Sequence, residues 1–454
     1  MKMLLSGAIL VLLITCRGAH SGWSGVFDRL LSGARRCVGS RVRAHPATSP
    51  SSASAAASSK QDSTGTMLKR AVPPILLSLL GFAESSGASP LNPQPVMRVG
   101  TPFFQGWLVR TVDHTQGLSF IFIVGSFSSQ DSSEFTEHYV FCAVSHEGQL
   151  LCHQEHFPDP ALVTITGSAP SRPSVAPRLS PPVPLNVTWR AEGLGSFRFT
   201  QESCSIDFRL GPLQVGLKTK STLPWRPGSS ALRGPEGWLG YTPLLPCHYF
   251  VHSVGSNCEY RLDVQGRAGG ALAGKAVCHI EGNHGTFFPS GWIWSQAVSA
   301  DNTVSLGLVA GLFDIGPLSP LNIVLYYRSP KTGVRVFRTT DLDSIDITEG
   351  LHRPMSSGQQ GASVNLRACS RRDSLVLRVN IAAPPVSFGP PVHIPTRSGF
   401  SADPGCRESY TAVATVRVYE FVGGKGGGEE GASYRLLEST SIPLACLEFG
   451  NSYV

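Results

Sequence analysis

The sequence predicts an all-β protein. Only 15% of its 454 residues are charged, and 48 Gly and 34 Pro residues supply many turn positions. Between the turns lie short runs rich in β-branched and aromatic residues, such as LSFIFIVGSF at 118–127 and SLVLRVNIA at 374–382. No amphipathic helical pattern of three turns follows residue 90. Short strands repeated in this way indicate sandwiches or barrels rather than a βαβ sheet.

The first 90 residues form a leader with two compositions. Residues 1–21 contain Lys2 and then the apolar run LLSGAILVLLIT, which predicts a secretory signal peptide and is too short to span a bilayer. Residues 22–90 are transit-like, because they are rich in Ser, Ala and Arg and their only acids before residue 67 are Asp28 and Asp62. Together the two segments predict that the protein is located in a plastid and reaches it through the secretory pathway. The alternative is a secretory-lumen or extracellular protein with a disordered Ser/Ala-rich stalk.

The positive charge of the chain lies in this leader. Residues 1–90 contain ten Lys or Arg and three Asp or Glu, which gives +7, and the whole chain contains 38 and 31, which also gives +7. Residues 91–454 therefore carry 28 charges of each sign and have no net charge. A neutral region without a basic stripe argues against a nucleic-acid partner.

Residues 91–454 divide into two predicted β halves, 91–225 and 226–454. A Pro/Ser-rich insertion from Pro158 to Pro184 interrupts the first half, and the Gly-rich segment after Val422 predicts a flexible hairpin tip. Strands of the first half are predicted near 118–126, 138–145, 149–154, 186–190, 195–199 and 204–209. Strands of the second half are predicted near 246–253, 257–264, 274–281, 291–299, 303–312, 321–328, 333–338, 374–380 and 410–421.

The cysteines predict no metal site. Two of the eleven, Cys16 and Cys37, lie in the leader, and none forms a CxxC or the Cys/His spacing that zinc requires. The other nine are scattered, often within predicted strands, so we expect these cysteines to serve as small buried hydrophobic residues.

The candidate site is the segment EGNHGTFFPSGWIWSQ at 281–296. It reads as a Gly-rich turn followed by a strand, and side chains alternate across a strand. Trp292, Trp294 and Gln296 therefore share one face. Two indoles and an amide on one face indicate a cavity wall, and the alternative is a structural core strand with a buried, hydrogen-bonded Gln.

Three sequence blocks resemble the tocopherol cyclase family. The most specific is Glu-x-Asn-x-Gly-x-x-Phe-Pro-x-x-Trp-x-Trp-x-Gln, and it is preceded by a Pro/His aromatic strand and by a Phe-Phe-Glu-Gly-Trp block in which Gln105 replaces the Glu. Cys406-Arg407-Glu408 is similar to the family's closing segment, and the resemblance covers roughly residues 98–450. The matching residues are Phe103, Phe104, Gly106, Trp107, Pro246, His248, Glu281, Asn283, Gly285, Phe288, Pro289, Trp292, Trp294 and Gln296.

The resemblance implies two lipocalin- or calycin-like β-barrel halves and a cyclase of the isomerase or intramolecular lyase type. Its substrate would be a prenylated hydroquinone or related isoprenoid lipid, whose phenol oxygen adds across the nearest double bond of the tail to close a chromanol ring. No cofactor and no metal is implied, in agreement with the lack of a P-loop, a strand-linked GxGxxG or an HExxH. A substrate that resides in lipid also favours peripheral membrane association.

Alkene protonation requires a neutral carboxylic acid in a dry pocket, aromatic faces for the cation and an acceptor for the phenol proton. We assign Glu281 as the acid, His248 or His252 as the acceptor, and Asn283 and Gln296 as groups that orient the ring hydroxyls. The remaining predicted substrate-binding residues are aromatic: Phe104, Trp107, Trp238, Phe288, Trp292 and Trp294.

Each assignment has a structural alternative. Glu281 can cap the Gly-rich turn through backbone N–H groups, the histidines can be hydrogen-bonded strand residues, and Asn283 can shape the turn. Two other functions also fit the sequence, namely a non-catalytic lipid-binding barrel and a hydratase in which water captures the cation.

Overall fold

The computed structural model describes residues 102–129, 132, 134–167, 186–200, 202–225, 234–237, 246–314, 320–341, 344–349, 361–370, 373–423 and 433–453. The predicted signal peptide, the transit-like leader, Trp238, most of the Pro/Ser-rich insertion and most of the Gly-rich tip lie outside these residues. Among the residues described, no helix is both long and apolar enough to cross a membrane.

The first sheet has eleven described strands, and all neighbours in it are antiparallel. Their order is β4-β3-β2-β1-β11-β10-β9-β8-β7-β6-β5. The strands are β1 Phe103–Asp113, β2 Leu118–Ser128, β3 Glu137–His146, β4 Gln149–His156, β5 Val163–Gly167, β6 Asn186–Ala191, β7 Gly195–Thr200, β8 Cys204–Leu210, β9 Leu213–Thr219, β10 Cys247–Val264 and β11 Leu272–Gly285.

The second sheet has nine described strands in the order β15-β14-β13-β12-β20-β19-β18-β17-β16, again all antiparallel. The strands are β12 Gly291–Val298, β13 Ser305–Leu312, β14 Leu321–Ser329, β15 Gly333–Arg338, β16 Ser344–Glu349, β17 Ala362–Ser370, β18 Leu375–Ala383, β19 Cys406–Gly423 and β20 Ser433–Asn451. The described helices are short 3-10 turns at Pro160–Leu162, Thr339–Asp341 and Pro385–Ser387.

Each sheet curls around a hydrophobic core of its own. Alternate residues of the first sheet, including Trp107, Phe122 and Trp189, form one buried cluster, and the edge strand β4 contacts β8, the fourth strand from the opposite edge. The second sheet encloses a separate cluster, and its strands β15 and β17 come into contact in the same way. The predicted all-β fold with two barrel-like halves is therefore confirmed.

The division between the halves differs from the predicted boundary at 225/226. The first sheet continues to Gly285 and the second begins at Gly291, because the long strands β10 and β11 pair with β9 and β1. Residues 281–285 are consequently the end of β11, so the prediction of a Gly-rich turn there is wrong. The glycines serve close strand approach instead, since a Cβ on Gly285 would lie 2.0 Å from the Pro246 carbonyl oxygen.

The outer faces of the two sheets pack against each other. One buried cluster joins Leu108, Ile121 and Phe141 of the first sheet to Trp292 and Trp294 of the second. Eight of the nine described cysteines are buried, and none of these nine forms a disulfide. The space between the sheets holds the candidate site.

Candidate active site

A cavity of about 180 Å³ lies between the sheets. A cavity of similar size with apolar walls can hold a benzene molecule, so one aromatic ring fits this space. The wall is mainly apolar, and four carboxyl groups also reach it. Its apolar lining includes Phe104, Leu108, Ile123, Tyr139, Phe288, Trp292, Trp294, Phe313 and Phe400, and its acids are Glu236, Glu281, Glu408 and Glu448.

Glu281 projects from β11 toward the second sheet and is buried. Its Oε2 accepts hydrogen bonds from the Tyr249 hydroxyl at 2.8 Å and from the Trp294 indole N–H at 3.1 Å. His279 Nε2 lies 2.7 Å from the same oxygen and donates when that nitrogen carries its proton. Up to three donors therefore converge on one carboxylate oxygen of Glu281.

Tyr249 keeps its proton in this arrangement. Burial raises the pKa of its phenol well above the usual value, and the negative charge of Glu281 raises it further. The hydroxyl therefore stays a hydrogen-bond donor to Glu281. Tyr249 reaches this position because Val251, two residues along β10, pairs directly with Glu281.

A second acidic centre faces Glu281 from the other sheet. Glu408 on β19 and Glu448 on β20 are directly opposite in the strand register, and Trp294 on β12 is opposite Glu448. The three side chains consequently form a row across one face. Glu408 Oε2 accepts from the Tyr410 hydroxyl at 2.6 Å, and Glu448 Oε1 accepts from the Trp292 indole N–H.

The environment of the Glu408–Glu448 pair favours a shared proton. Burial is the largest cause that raises the pKa of each carboxyl, and for Glu408 the charge of Glu448 is the next. Two buried carboxyls in contact cannot both ionise, so they share a proton as a pair. The site thus combines a proton-holding pair with a hydrogen-bonded carboxylate at Glu281.

Cys406 extends this pair into a three-residue cluster. Its Sγ and one oxygen from each of Glu408 and Glu448 lie within 4.8 Å of one another, which is a spacing that a cation could bridge. Burial raises the pKa of the Cys406 thiol well above its usual value, so the sulfur is a neutral thiol.

Glycine makes room for the tryptophan wall. Gly450 on β20 pairs with Trp292, and a Cβ at position 450 would lie 2.1 Å from the indole. The indole can therefore lie across β20 and reach Glu448. Trp292 and Trp294 share one face, as predicted, while Ile293 points into the second-sheet core.

The structure brings six predicted site residues together at the cavity. They are Phe104, Glu281, Asn283, Phe288, Trp292 and Trp294. The two aromatic rings at one end are in contact, with Phe104 and Phe288 centroids 5.0 Å apart in an edge-to-face arrangement.

Three predicted residues lie on the opposite face of the first sheet from Glu281. Trp107 borders the cavity, but its ring packs against Phe197 in the first-sheet core with centroids 5.8 Å apart. His252 lies at a β-bulge beside Phe199, and burial lowers its pKa to about 4, so it is neutral. Strand alternation places His248 on this face too. Both histidines therefore lie on the face of β10 that points away from Glu281.

The contacts of Gln296 connect the two sheets rather than line the cavity. It shares the face of Trp292 and Trp294, but its Oε1 accepts a hydrogen bond from the buried guanidinium of Arg110. Arg110 also donates to the Leu444 carbonyl and to Ser119 Oγ. Gln296 thereby connects the two sheets and does not line the cavity.

The residues predicted from the sequence do not include Tyr249, His279, Tyr410 or Glu448, and they include Glu408 only within the closing segment. A usable signal was present in LACLEFG at 444–450, where Glu448 is the lone charge in an apolar strand. The pairing of Glu448 with Glu408 could not be found in this way, because the register of β19 is irregular at several positions.

No protein-family model matches the chain, and no curated protein matches it either. Among solved structures, the chain is similar to CghA, with 12% identity, a TM-score of 0.47 and coverage of 80% of this chain and 92% of that chain. It is also similar to kievitone hydratase from Nectria haematococca, with 11% identity, a TM-score of 0.40 and coverage of 81% and 92%. At these TM-scores the site must be interpreted from its own residues.

Proposed function

We propose that this protein is an enzyme that closes a chromanol-type ring in a prenylated hydroquinone or a related isoprenoid lipid. The observation that carries this proposal is a buried proton-holding pair, Glu408–Glu448, that faces the hydrogen-bonded carboxylate of Glu281 across an aromatic cavity. One group can give a proton and the other can take one within the same dry space.

The reaction balances as an isomerisation. The Glu408–Glu448 pair gives its proton to the less substituted alkene carbon, and a new C–H bond forms there. The phenol oxygen then bonds to the tertiary cationic carbon while its O–H bond breaks and the proton passes to Glu281. The substrate gains and loses one proton, so no oxidant or reductant is required.

This assignment changes the role of Glu281 from acid to base. In the proposed mechanism Glu281 acts in its ionised form, and Tyr249, Trp294 and His279 can donate hydrogen bonds to its Oε2. The acid role passes to the pair, where burial keeps a proton in place.

The aromatic wall suits the cationic intermediate. Trp292 and Trp294 line the cavity beside Glu448 and Glu281, and an indole face attracts a cation more strongly than a phenyl face does. The mainly apolar lining also limits the water that would compete with the phenol.

A hydratase is the second candidate, because Glu281 and Tyr249 could hold a water molecule where the phenol oxygen would lie. Incubation of the protein with a phytylated hydroquinone, followed by mass spectrometry and NMR, separates the possibilities. A chromanol supports the proposal, and a tertiary alcohol supports the hydratase. Recovery of unchanged, tightly bound lipid would show a binding protein and contradict both enzymes.

A further inference from the structure

We propose that residues 393–401 form a lid over the cavity and that ligands enter the cavity when this lid lifts. The lid is a hairpin, because Pro395 pairs with Phe400 and the Ser401 backbone N–H donates to the Ile394 carbonyl. The inference concerns access to the site and goes beyond the proposed reaction. The lid residues that line the cavity are His393, Ile394, Pro395 and Phe400.

The lid is attached differently from the strands of the cavity wall. Wall residues such as Leu108 on β1 and Trp292 on β12 lie in strands that pair with a neighbour on each side. The lid is not a strand of either described sheet, and its base is joined to β19 by an isolated bridge between Val392 and Cys406. A segment outside the sheet ladders can open while both sheets stay paired.

Two carboxylates of the first sheet hold the lid closed. The Oε2 atom of Glu155 on β4 lies 2.7 Å from His393 Nδ1 and accepts the His393 backbone N–H at 3.3 Å. The Oε2 atom of Glu137 on β3 accepts the backbone N–H of Phe400 at 2.9 Å. The lid belongs to the second half of the chain, so these contacts close the cavity across the boundary between the sheets.

The tip of the lid makes a third contact. Arg397 and Ser398 are exposed there, and the Arg397 guanidinium carbon lies 4.1 Å from the centroid of the Phe287 ring, in the connection between β11 and β12. The lid therefore spans from β3 and β4 to this connection. Glu281 and Glu408 are 1% and 2% exposed, so the centre of the site is nearly closed to solvent and lifting the lid would open it.

Hydrogen exchange followed by mass spectrometry tests whether the lid opens. In the wild-type protein the lid peptide should exchange its amide protons faster than peptides from β1 and β12. Glu155→Gln replaces a charged acceptor with a neutral one and should speed this exchange by roughly tenfold, because hydrogen bonds to charged groups are about twice as strong. The exposed-site control Glu192→Gln should leave it unchanged. A lid peptide that exchanges as slowly as the strands, or that does not respond to Glu155→Gln, would overturn the proposal.

Ligand entry gives a second readout. Nitrobenzene is a single-ring quencher of tryptophan fluorescence, and stopped-flow measurements give its rate constants of association and dissociation. Both constants should rise by roughly two- to fivefold in Arg397→Ala, which removes the tip contact. They should stay unchanged in Arg378→Ala, which removes a similar arginine contact with Tyr419. Unchanged rate constants in Arg397→Ala and Glu155→Gln would overturn the lid.

Neither readout requires turnover. If the lid opens as expected but no lipid is converted, the lid stands and the proposed cyclisation fails. Thermal melting identifies any loss of fold in Glu155→Gln, and Arg397→Ala then decides the outcome, because it changes only an exposed side chain at the tip.

Discussion

The two faces of the first sheet have different roles. The inner face is filled by rings such as Trp107, Phe122 and Trp189, which pack into a closed core. The outer face carries Glu281 and Tyr249 and borders a cavity that the second sheet completes. A difference of one residue along β1 or β11 decides whether a side chain stabilises the fold or faces a ligand.

The same contrast exists between the acidic groups of the cavity. Glu281 is surrounded by neutral donors, whereas Glu408 and Glu448 face each other. Donors stabilise the charged form of a carboxyl, and a second buried carboxyl destabilises it. The proposed mechanism gives opposite proton-transfer roles to these chemically identical side chains in their two environments.

The largest expected effect is the loss of the acid. Glu408→Gln keeps an acceptor for Tyr410 but cannot supply a proton, so turnover of the prenylated hydroquinone should fall by roughly 10²–10⁴-fold. Product formation is measured by chromatography, and Glu192→Gln serves as an exposed control of the same chemistry. Near wild-type turnover in Glu408→Gln would show that Glu408 is not required as the acid.

The second prediction compares tryptophans on the two faces. Trp107→Ala should lower the free energy of unfolding by about 3–5 kcal/mol, because it leaves a void in the first-sheet core. Trp294→Phe should cost less stability and reduce turnover more, because it keeps a ring and removes the N–H that binds Glu281. Urea unfolding measures the stability of Trp107→Ala and Trp294→Phe, and steady-state kinetics measures their turnover. Equal effects of both variants on stability and on turnover would break the distinction between the faces.

A smaller effect is expected from Tyr249→Phe, which removes one donor to Glu281 but retains the ring. We expect kcat to fall by roughly tenfold, since a hydrogen bond to a charged group contributes about 1.5–3 kcal/mol and two donors remain. The KM should change less than kcat. An unchanged kcat would show that Tyr249 does not support the base.

The smallest effects concern the dependence of the free energy of unfolding on pH. The contribution of Glu408 should be lost as pH rises, and that of Glu155 should be lost as pH falls. The pKa of Glu408 is raised by burial and by Glu448, so its favourable protonated state is present at low pH and is lost as pH rises through the raised pKa. For Glu155, burial alone would raise the pKa, but hydrogen bonds from His153, His393 and Tyr139 lower it to about 2. Its stabilisation is present above the usual value of 4.5 and is lost as pH falls toward 2.

Unfolding curves over a range of pH measure both contributions. Glu408→Gln should flatten the decline on the alkaline side, and Glu155→Gln should flatten the decline on the acidic side. The same direction of change in both variants would contradict the environments described for these carboxyls.

Local patterns in the sequence predict the fold class and part of the site. Alternation in GWIWSQ places Trp292 and Trp294 on one face, and the structure confirms this. The role of glycine was harder to predict, because Gly282 and Gly285 permit close strand approach at the end of β11 rather than a turn. Composition near Glu281 does not distinguish these two uses.

The partners of Glu281 depend on long-range pairing. Tyr249, 32 residues away, and the Glu408–Glu448 pair become neighbours only through strand register and the packing of two sheets. His248 and His252 lie on the other face of β10, because the pairing of Val251 with Glu281 sets which face of that strand borders the cavity. Periodicity identifies a face, but only tertiary structure identifies what that face meets.

The most direct measurement is deuterium incorporation during turnover in D₂O. If Glu408 and Glu448 exchange their proton with solvent and give it to the alkene, the ring-closed product should carry one non-exchangeable deuterium at the carbon that received it, and Glu408→Gln should form this labelled product roughly 10²–10⁴-fold more slowly. Product that forms without deuterium, or substrate that remains bound and unlabelled, would contradict alkene protonation in this cavity.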